Sequence, residues 1–473
     1  MNGAWELRVS QMVQQRPKGR ILAAFNTNID KVVHLTPENV KAIVAANPDI
    51  DWDKVANTAI YDVKTVCSKE TFFVVLQDRL SKGKSFHIVL ENEELLNWLD
   101  RFFPEGIESM GGQAGIIANQ LAVLGADAAV YTPLLAPKQA AQFVDRVLTP
   151  VIEDGKLVMK FTKDAADAED EVKINWIFEY GKGLTFEFPN CTVTTPRANR
   201  VILATRPAGS IMGFSKELVE VLPTFGQMLD MAFMAGYHYA DHTMPDGRTF
   251  EEYLSDTVRD LELLRSQNPN LMIHYEYVPM KARDLEPTLL KEISKKVTSF
   301  GINENEIRRV LEDFQCHREM EAIAEHETAY TLYQGGLALL RQMHVQRIQI
   351  HNLGYYVVLL KKPYPIPPEK VREACIFASS VNAIKAKYGG YATLDRLPEA
   401  AEFPLSDIGY QQLKVFAEEA KDLPIPEDFL TEGIVELEDH YVLVVPAHVI
   451  PNPVSTVGMG DTISSCAYAA ELL

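Results

Sequence analysis

Short apolar runs alternate with stretches of helical period along most of the chain. Arg20–Phe25 is predicted to be a buried strand, as are Ala128–Thr132, Met231–Ala235, Leu271–His274, Arg347–His351 and Tyr355–Leu360. Between them, Gly115–Gly125, Thr249–Gln267, Glu286–Ser299, Asn303–Cys316, Glu327–Met343 and Pro368–Tyr388 have the spacing of helices. Such alternation predicts an α/β fold, a mostly parallel sheet with helices on both faces. Two stretches break the rhythm. One runs from about Lys31 to Met110. The other, from about Leu157 to Ile202, holds short alternating runs such as Lys173-Ile-Asn-Trp-Ile-Phe-Glu-Tyr and Leu184-Thr-Phe-Glu-Phe, which suit antiparallel strands. The expected division is a large domain from 1–30, 111–156 and 203–473, with a small, mostly β lid from 31–110 and 157–202.

Composition narrows the class. A chain of 473 residues, 47% hydrophobic, can build a large core, and its length suggests two or three domains. No apolar run reaches the ~18–20 residues of a membrane helix. The first 19 residues are polar and hold no apolar signal core. A cytoplasmic enzyme with no membrane partner is expected, as a monomer or small homo-oligomer. The net charge of −19 argues against a nucleic-acid partner. An anionic ligand would need local cations, helix N-termini or a divalent metal to offset that field. The five cysteines are scattered and form no C-x-x-C, so neither a disulfide framework nor a zinc site is indicated.

The chemistry concentrates near the C-terminus, in Pro451-Asn-Pro-Val-Ser-Thr-Val457-Gly458-Met-Gly460-Asp461-Thr462. Glycines allow close backbone approach, and free N–H groups at a helix start attract phosphate oxygens. Asp461 follows at once, where a base would take a proton from a substrate hydroxyl. That arrangement suits phosphoryl transfer; a surface turn capping a C-terminal helix is the plainer alternative.

Other segments bear on this choice. Asn26-Thr27-Asn28-Ile29-Asp30 follows the first strand, where ligands bind in open α/β sheets. Asn28 and Asp30 suit sugar hydroxyls, or a helix cap. Gly111-Gly112-Gln113 is a hinge, a ligand loop or both. Asn303-x-x-Glu306 has the spacing for a hydrated divalent cation and equally for a capping box. His274-Tyr-Glu276 offers a second acid at a strand end. His351-Asn-Leu-Gly-Tyr-Tyr356 suits an adenine pocket or a hairpin with core tyrosines. Lys173, Arg197, Arg200 and Arg206 give local positive charge suited to a phosphate clamp, or to a solvated surface.

In this order, the motifs resemble those of the ADP-dependent sugar kinases, the glucokinases and 6-phosphofructokinases of the ribokinase-like superfamily. The resemblance runs nearly end to end. It rests on Asn26–Asp30, Gly111–Gly115, Asn199-Arg200, His274–Glu276, Asn303–Glu306, His351–Tyr356 and Thr456–Asp461. It implies a ribokinase-like three-layer α/β/α large domain and a lid that closes on the sugar. It implies Asp461 as base, with Val457, Gly458 and Gly460 in an anion hole. Asn303, Glu306 and Glu276 would serve Mg²⁺ or another divalent cation. Asn28, Asp30, Gly112 and Gln113 would contact sugar, and Arg200 the nucleotide phosphate. Tyr356 and Ile450 would wall the adenine.

One departure bears on the acceptor. Glucokinases of the family resemble G-K-A-A-E where this chain reads Gly83-Lys84-Ser85-Phe86-His87, so His87 replaces a glucose-contacting glutamate. Lys173 and Arg206 resemble basic residues of the phosphofructokinases. The expectation is transfer of the β-phosphate of ADP to fructose 6-phosphate, leaving AMP. The alternatives are a glucokinase, a kinase using ATP or another sugar or nucleoside, and an ADP-sensing protein without turnover.

Overall fold

The computed structural model of the protein describes residues 2–455 and 457–473; Met1 and Thr456, the latter part of the C-terminal motif, lie outside the described residues. Each predicted strand forms. They join an eleven-stranded sheet in the order Ile434–Glu436, His440–Pro446, Tyr355–Lys361, Arg347–Asn352, Ser299–Asn303, Met272–Glu276, Met231–Ala235, Arg20–Phe25, Asp127–Tyr131, Leu148–Glu153, Lys156–Phe161. From Arg347–Asn352 to Leu148–Glu153 every pairing is parallel. All of these but Leu148–Glu153 are buried along nearly their whole length, as expected of a sheet covered on both faces. Asn2–Met12, Gln113–Val123, Pro368–Tyr388 and Met459–Ala470 pack together as one helical layer; Phe250–Ser266, Glu286–Ser294, Glu306–Asp313, Ala329–Gln342 and Asp407–Glu419 belong to the other.

A second, five-stranded mixed sheet runs Phe86–Val89, Asn199–Ala204, Ile174–Tyr180, Asn28–His34, Ile107–Gly111, with its own hydrophobic cluster. Alternation divides its faces. Ile29, Val33, Ile174, Trp176, Phe178, Val201 and Leu203 point to that cluster, against Val40, Phe72, Phe73, Trp98 and Leu99 of the covering helices. The opposite face carries Asp30, Asn175, Arg200 and His87.

Three details differ from the reading of the sequence. Residues 31–110 hold four helices, Pro37–Ala46, Trp52–Asn57, Lys69–Lys82 and Glu93–Phe102, so the small unit is as helical as it is stranded. Lys69–Lys82 hides its period because Phe72, Phe73, Val74, Val75 and Leu76 are all buried. Lys156–Phe161 belongs to the large sheet: Asp154-Gly155, both at positive φ, turn it back antiparallel on Leu148–Glu153. Asn28–Asp30 already run in the small sheet, paired with Gly111–Ser109. Among the described residues no helix is long and apolar enough to cross a membrane.

Candidate active site

The carboxyl ends of the parallel strands deliver Asn26, Glu276, Asn303 and His351 to one rim of the large sheet. The last helix, Met459–Ala470, begins at that rim. Gly458 caps it at φ 64°, ψ 21°, a left-handed conformation that favours glycine, and an added Cβ there would lie 2.7 Å from Ile116 Cδ1. At Gly460 a Cβ would stand 3.3 Å from His351 Nε2. Gly458 and Gly460, on either side of Met459, therefore leave backbone accessible at the start of this helix, with Asp461 next in line. Gly112, at φ 76°, holds the other wall close: a Cβ would lie 2.5 Å from the Asn26 carbonyl oxygen.

Burial pushes the Asp461 carboxyl up to about 7, and Glu276 adds to it; Lys385 and Gln113 act in the opposite direction. Glu276 rises to about 8 through burial. Glu306 also reaches about 8, through burial and then the charges of Glu276, Asp461 and Glu304. Desolvated carboxylates close enough to repel one another lack a countercharge, and a divalent cation supplies one. Among the described residues no three acidic, histidine or cysteine side chains converge into a ready cage. A cation here would keep water between itself and the protein, as magnesium does.

Asn303 and Glu306 form a capping box. Asn303 Oδ1 accepts from the backbone N–H of Glu306 at 2.9 Å and of Asn305 at 2.9 Å, while Glu306 Oε2 accepts from the Asn303 N–H at 3.1 Å. Asn303 is thus occupied in holding Glu306 in place, the capping-box arrangement that the spacing also allowed.

On the small-sheet side, Asp30 Oδ1 accepts from Asn28 Nδ2 at 2.7 Å and Asn175 Nδ2 at 3.0 Å. Burial raises its carboxyl; the two asparagines, Arg200 and Lys173 restrain it. Gln113 is 6% exposed, and its amide finds no well-aligned hydrogen bond among the described residues, although it lies near enough to Asp461 to favour that carboxylate. A buried amide this poorly satisfied suits a ligand beside Asp461.

Beside these lies a cavity of about 280 Å³, lined by Lys173, Arg206, Ser210, His238, Tyr239 and Lys281 among others. Lys173 is 3% exposed and donates to Asn26 Oδ1 at 2.7 Å; its ammonium lies 4.5 Å from the centre of the Tyr239 ring. The Arg206 guanidinium lies over the same ring at 4.9 Å. Its Nη2 is 3.0 Å from His87 Nε2. A guanidinium only donates, so His87 Nε2 accepts and the ring is neutral with its proton on Nδ1. Burial and then Arg206 hold His87 down to about 4; burial and then Lys173 hold His238 down to about 3. Lys173 is held well below the usual lysine range by burial and Arg206.

The expected site residues therefore gather in three groups: Glu276, Glu306 and Asp461; Asn28, Asp30 and Gln113; Lys173, Arg206 and His87. Arg200 stands apart, exposed, in an open groove of about 630 Å³ with His34, Ser85, Glu179 and Asn199. Ile450 and Val457 are partly exposed on the loop before the last helix. Tyr356 does not wall an open pocket. It is 2% exposed, near Cys375, Ser379 and Cys466, because its position in the hairpin strand points it into the core. Lys385, His238, Tyr239 and Lys281 escaped the sequence reading. Lys385 carried a signal, a lone lysine in the buried run Ala374–Ala386 of a helix; Lys281 follows a strand end by only a few residues.

A glycine-flanked helix start, a half-buried aspartate and neighbouring carboxylates beside a basic pocket define a phosphotransferase cleft. A sequence profile for the ADP-specific phosphofructokinase/glucokinase conserved region matches residues 19–470. The ADP-specific phosphofructokinase of Thermococcus kodakarensis is 31% identical over 467 residues, 98% of either chain. The solved structure of a last common ancestor of ADP-dependent phosphofructokinases from Methanosarcinales superposes with a TM-score of 0.89 at 30% identity, over 100% of this chain and 99% of that one. An ADP-dependent kinase solved with fructose-6-phosphate and ADPβS superposes with a TM-score of 0.80 at 30% identity, over 99% of this chain and 98% of that one. The chain belongs to the ADP-specific phosphofructokinase/glucokinase family.

Proposed function

We propose that the protein transfers the β-phosphate of ADP to a hydroxyl of fructose 6-phosphate, releasing AMP and a sugar bisphosphate. The observation that carries the acceptor is the cavity lined by Lys173, Arg206 and Lys281 next to the sugar-facing group of Asp30 and Gln113. A sugar phosphate brings the dianion those cations lack; glucose does not.

In this reading Asp461 takes the proton of the attacking hydroxyl as that oxygen bonds to the β-phosphorus and the bond to AMP breaks. Asp30 and Gln113 orient the sugar, and Lys173 and Arg206 hold its phosphate. The N–H groups around Gly458–Gly460 point at the transferring group, stabilising charge without reorganisation. Arg200 reaches the nucleotide phosphate when the small unit built on the five-stranded sheet closes over the acceptor. Ile450 borders the adenine, and the Val457 backbone belongs to the same anion hole as Gly458 and Gly460. Glu276 and Glu306 would hold Mg²⁺ through water, with Asn303 fixing Glu306. The ion supplies charge neutralisation at the phosphates.

The test is product formation by the purified protein with Mg²⁺, ADP or ATP as donor, and fructose 6-phosphate, glucose, ribose or nucleosides as acceptor. AMP should form fastest with ADP and fructose 6-phosphate. Preference for glucose would replace this reading with a glucokinase. Equal use of ATP would overturn the donor assignment, and nucleotide binding without turnover would leave a sensor.

A further inference from the structure

Beneath Glu276 a row of polar side chains crosses three parallel strands in the middle of the core. His274 is paired in register with Ser299, and Ser299 with Arg347. All three are 0% exposed. Polar groups buried this deeply are costly unless each is hydrogen-bonded, and each is. Arg347 Nε donates to Glu471 Oε1 at 2.6 Å, at the C-terminal end of the helix whose start carries Asp461. Arg347 Nη1 donates to Ser299 Oγ at 3.1 Å. Ser299 Oγ lies 2.8 Å from His274 Nδ1, and His274 Nε2 lies 2.9 Å from Glu276 Oε2.

With Glu276 ionised, as a cation site requires, and His274 neutral, one assignment of protons satisfies the row. The carboxylate accepts, so His274 carries its proton on Nε2 and gives it to Glu276 Oε2. His274 Nδ1 then accepts from Ser299 Oγ, whose lone pair takes the Arg347 Nη1 proton. Gly301 keeps the path open: a Cβ there would lie 2.7 Å from His274 Nε2 and also strike Glu276 Oε2. Tyr468, on the helix that ends at Glu471, covers the row, with its ring 5.3 Å from that of His274 and 5.0 Å from the Arg347 guanidinium.

We propose that Arg347, Ser299 and His274 form a one-directional hydrogen-bond relay that fixes the His274 tautomer and holds Glu276 through Oε2. The relay joins the two ends of the Met459–Ala470 helix, through Glu471 at one and Glu276, beside Asp461, at the other. Its members are positioning residues. The proposal rests on the reading of Glu276 as a carboxylate serving the divalent cation.

The test is Mn²⁺ uptake by the full-length protein, followed by the electron paramagnetic resonance signal of the free ion, for wild type, Ser299→Ala, Ser299→Thr, His274→Gln and Glu276→Gln. Partners behind a metal ligand typically contribute 10–100-fold to affinity. Ser299→Ala, which keeps Arg347 and His274 but cuts the link, should weaken Mn²⁺ binding about ten-fold, by the low end of that range. Ser299→Thr, which keeps the hydroxyl, should restore it. In the assay, Ser299→Ala should raise the Mg²⁺ needed for half-maximal rate while the sugar KM stays put. If Glu276→Gln weakens uptake but Ser299→Ala and His274→Gln, both folded, do not, the relay is idle and the proposal fails alone. If Glu276→Gln has no effect, or wild type takes up no Mn²⁺, the reading of Glu276 fails and takes the relay with it.

Discussion

The two charged regions of the cleft mirror one another. On the large-sheet rim, Glu276, Glu306 and Asp461 are pushed up by burial and mutual repulsion, with Lys385 opposing the rise at Asp461. In the basic cavity, Lys173 and His238 are pushed down by burial and by neighbouring cations; His87, exposed outside it, is held down through desolvation and Arg206. One cause, charge withdrawn from water without a partner, moves acids and bases in opposite directions. Each region is arranged for a ligand of the opposite sign: a cation for the carboxylates, a phosphate for the basic pocket. A chain with a net charge of −19 can handle two anionic substrates because the charges near them are segregated.

The comparison breaks most severely at Asp461. Asp461→Asn should lower kcat by roughly 10²–10⁴-fold, the usual worth of a general base, while nucleotide binding measured by calorimetry stays nearly intact. Near-normal kcat would remove Asp461 from the role. In the wild type, kcat/KM should fall as pH is lowered, since protonation abolishes the base. With the carboxyl near 7 before a cation binds, raising Mg²⁺ should move the acidic limb to lower pH. A limb unmoved by Mg²⁺ would place the cation elsewhere.

Lys173→Ala attacks the other region. A charge-assisted hydrogen bond is worth roughly 1.5–3 kcal/mol, so KM for fructose 6-phosphate should rise about ten-fold or more at ~1.4 kcal/mol per decade. Turnover of glucose should change little, and an equal loss with both acceptors would make Lys173 a packing residue. Glu306→Gln is expected to be milder, raising the Mg²⁺ requirement more than the sugar KM; a lower Tm with an unchanged metal titration would leave only the capping box. His87→Glu sharpens the contrast with the smallest effect. The new carboxylate would pair with Arg206, weakening fructose 6-phosphate by a few-fold, on the scale of ~1 kcal/mol for a half-exposed pair, and improving use of glucose. Unchanged selectivity would mean that His87 does not set the state of Arg206.

The strands and long helices of the large sheet were legible because their residues are buried on both faces or on a clear helical stripe. Pro368–Tyr388 could be bounded by its opening proline and by Gly389. Glu286–Ser299 ran past its end, because Lys295–Thr298 hide the break between the helix and the strand Ser299–Asn303. The acidic half of the site could be found from glycines and acids at strand ends, features that sequence order preserves. The cavity was only half visible. Lys173 and Arg206 stand out as lone cations at the ends of the apolar runs Lys173–Tyr180 and Val201–Arg206, whereas Tyr239 and Lys281 follow neighbouring strands and are brought together only by the register of the large sheet. Tyr356 misled because the parity of a hairpin strand, inward or outward, depends on a pairing the sequence does not display.

The most direct test of the two opposed regions is a crystal structure of the protein soaked with fructose 6-phosphate alone. The account predicts the phosphate in the cavity, within hydrogen-bond reach of Lys173 and Arg206, with Lys281 at its mouth and the sugar ring extending towards Asp30 and Gln113. A phosphate bound instead in the groove beside Arg200, with the Lys173 cavity empty, would contradict it.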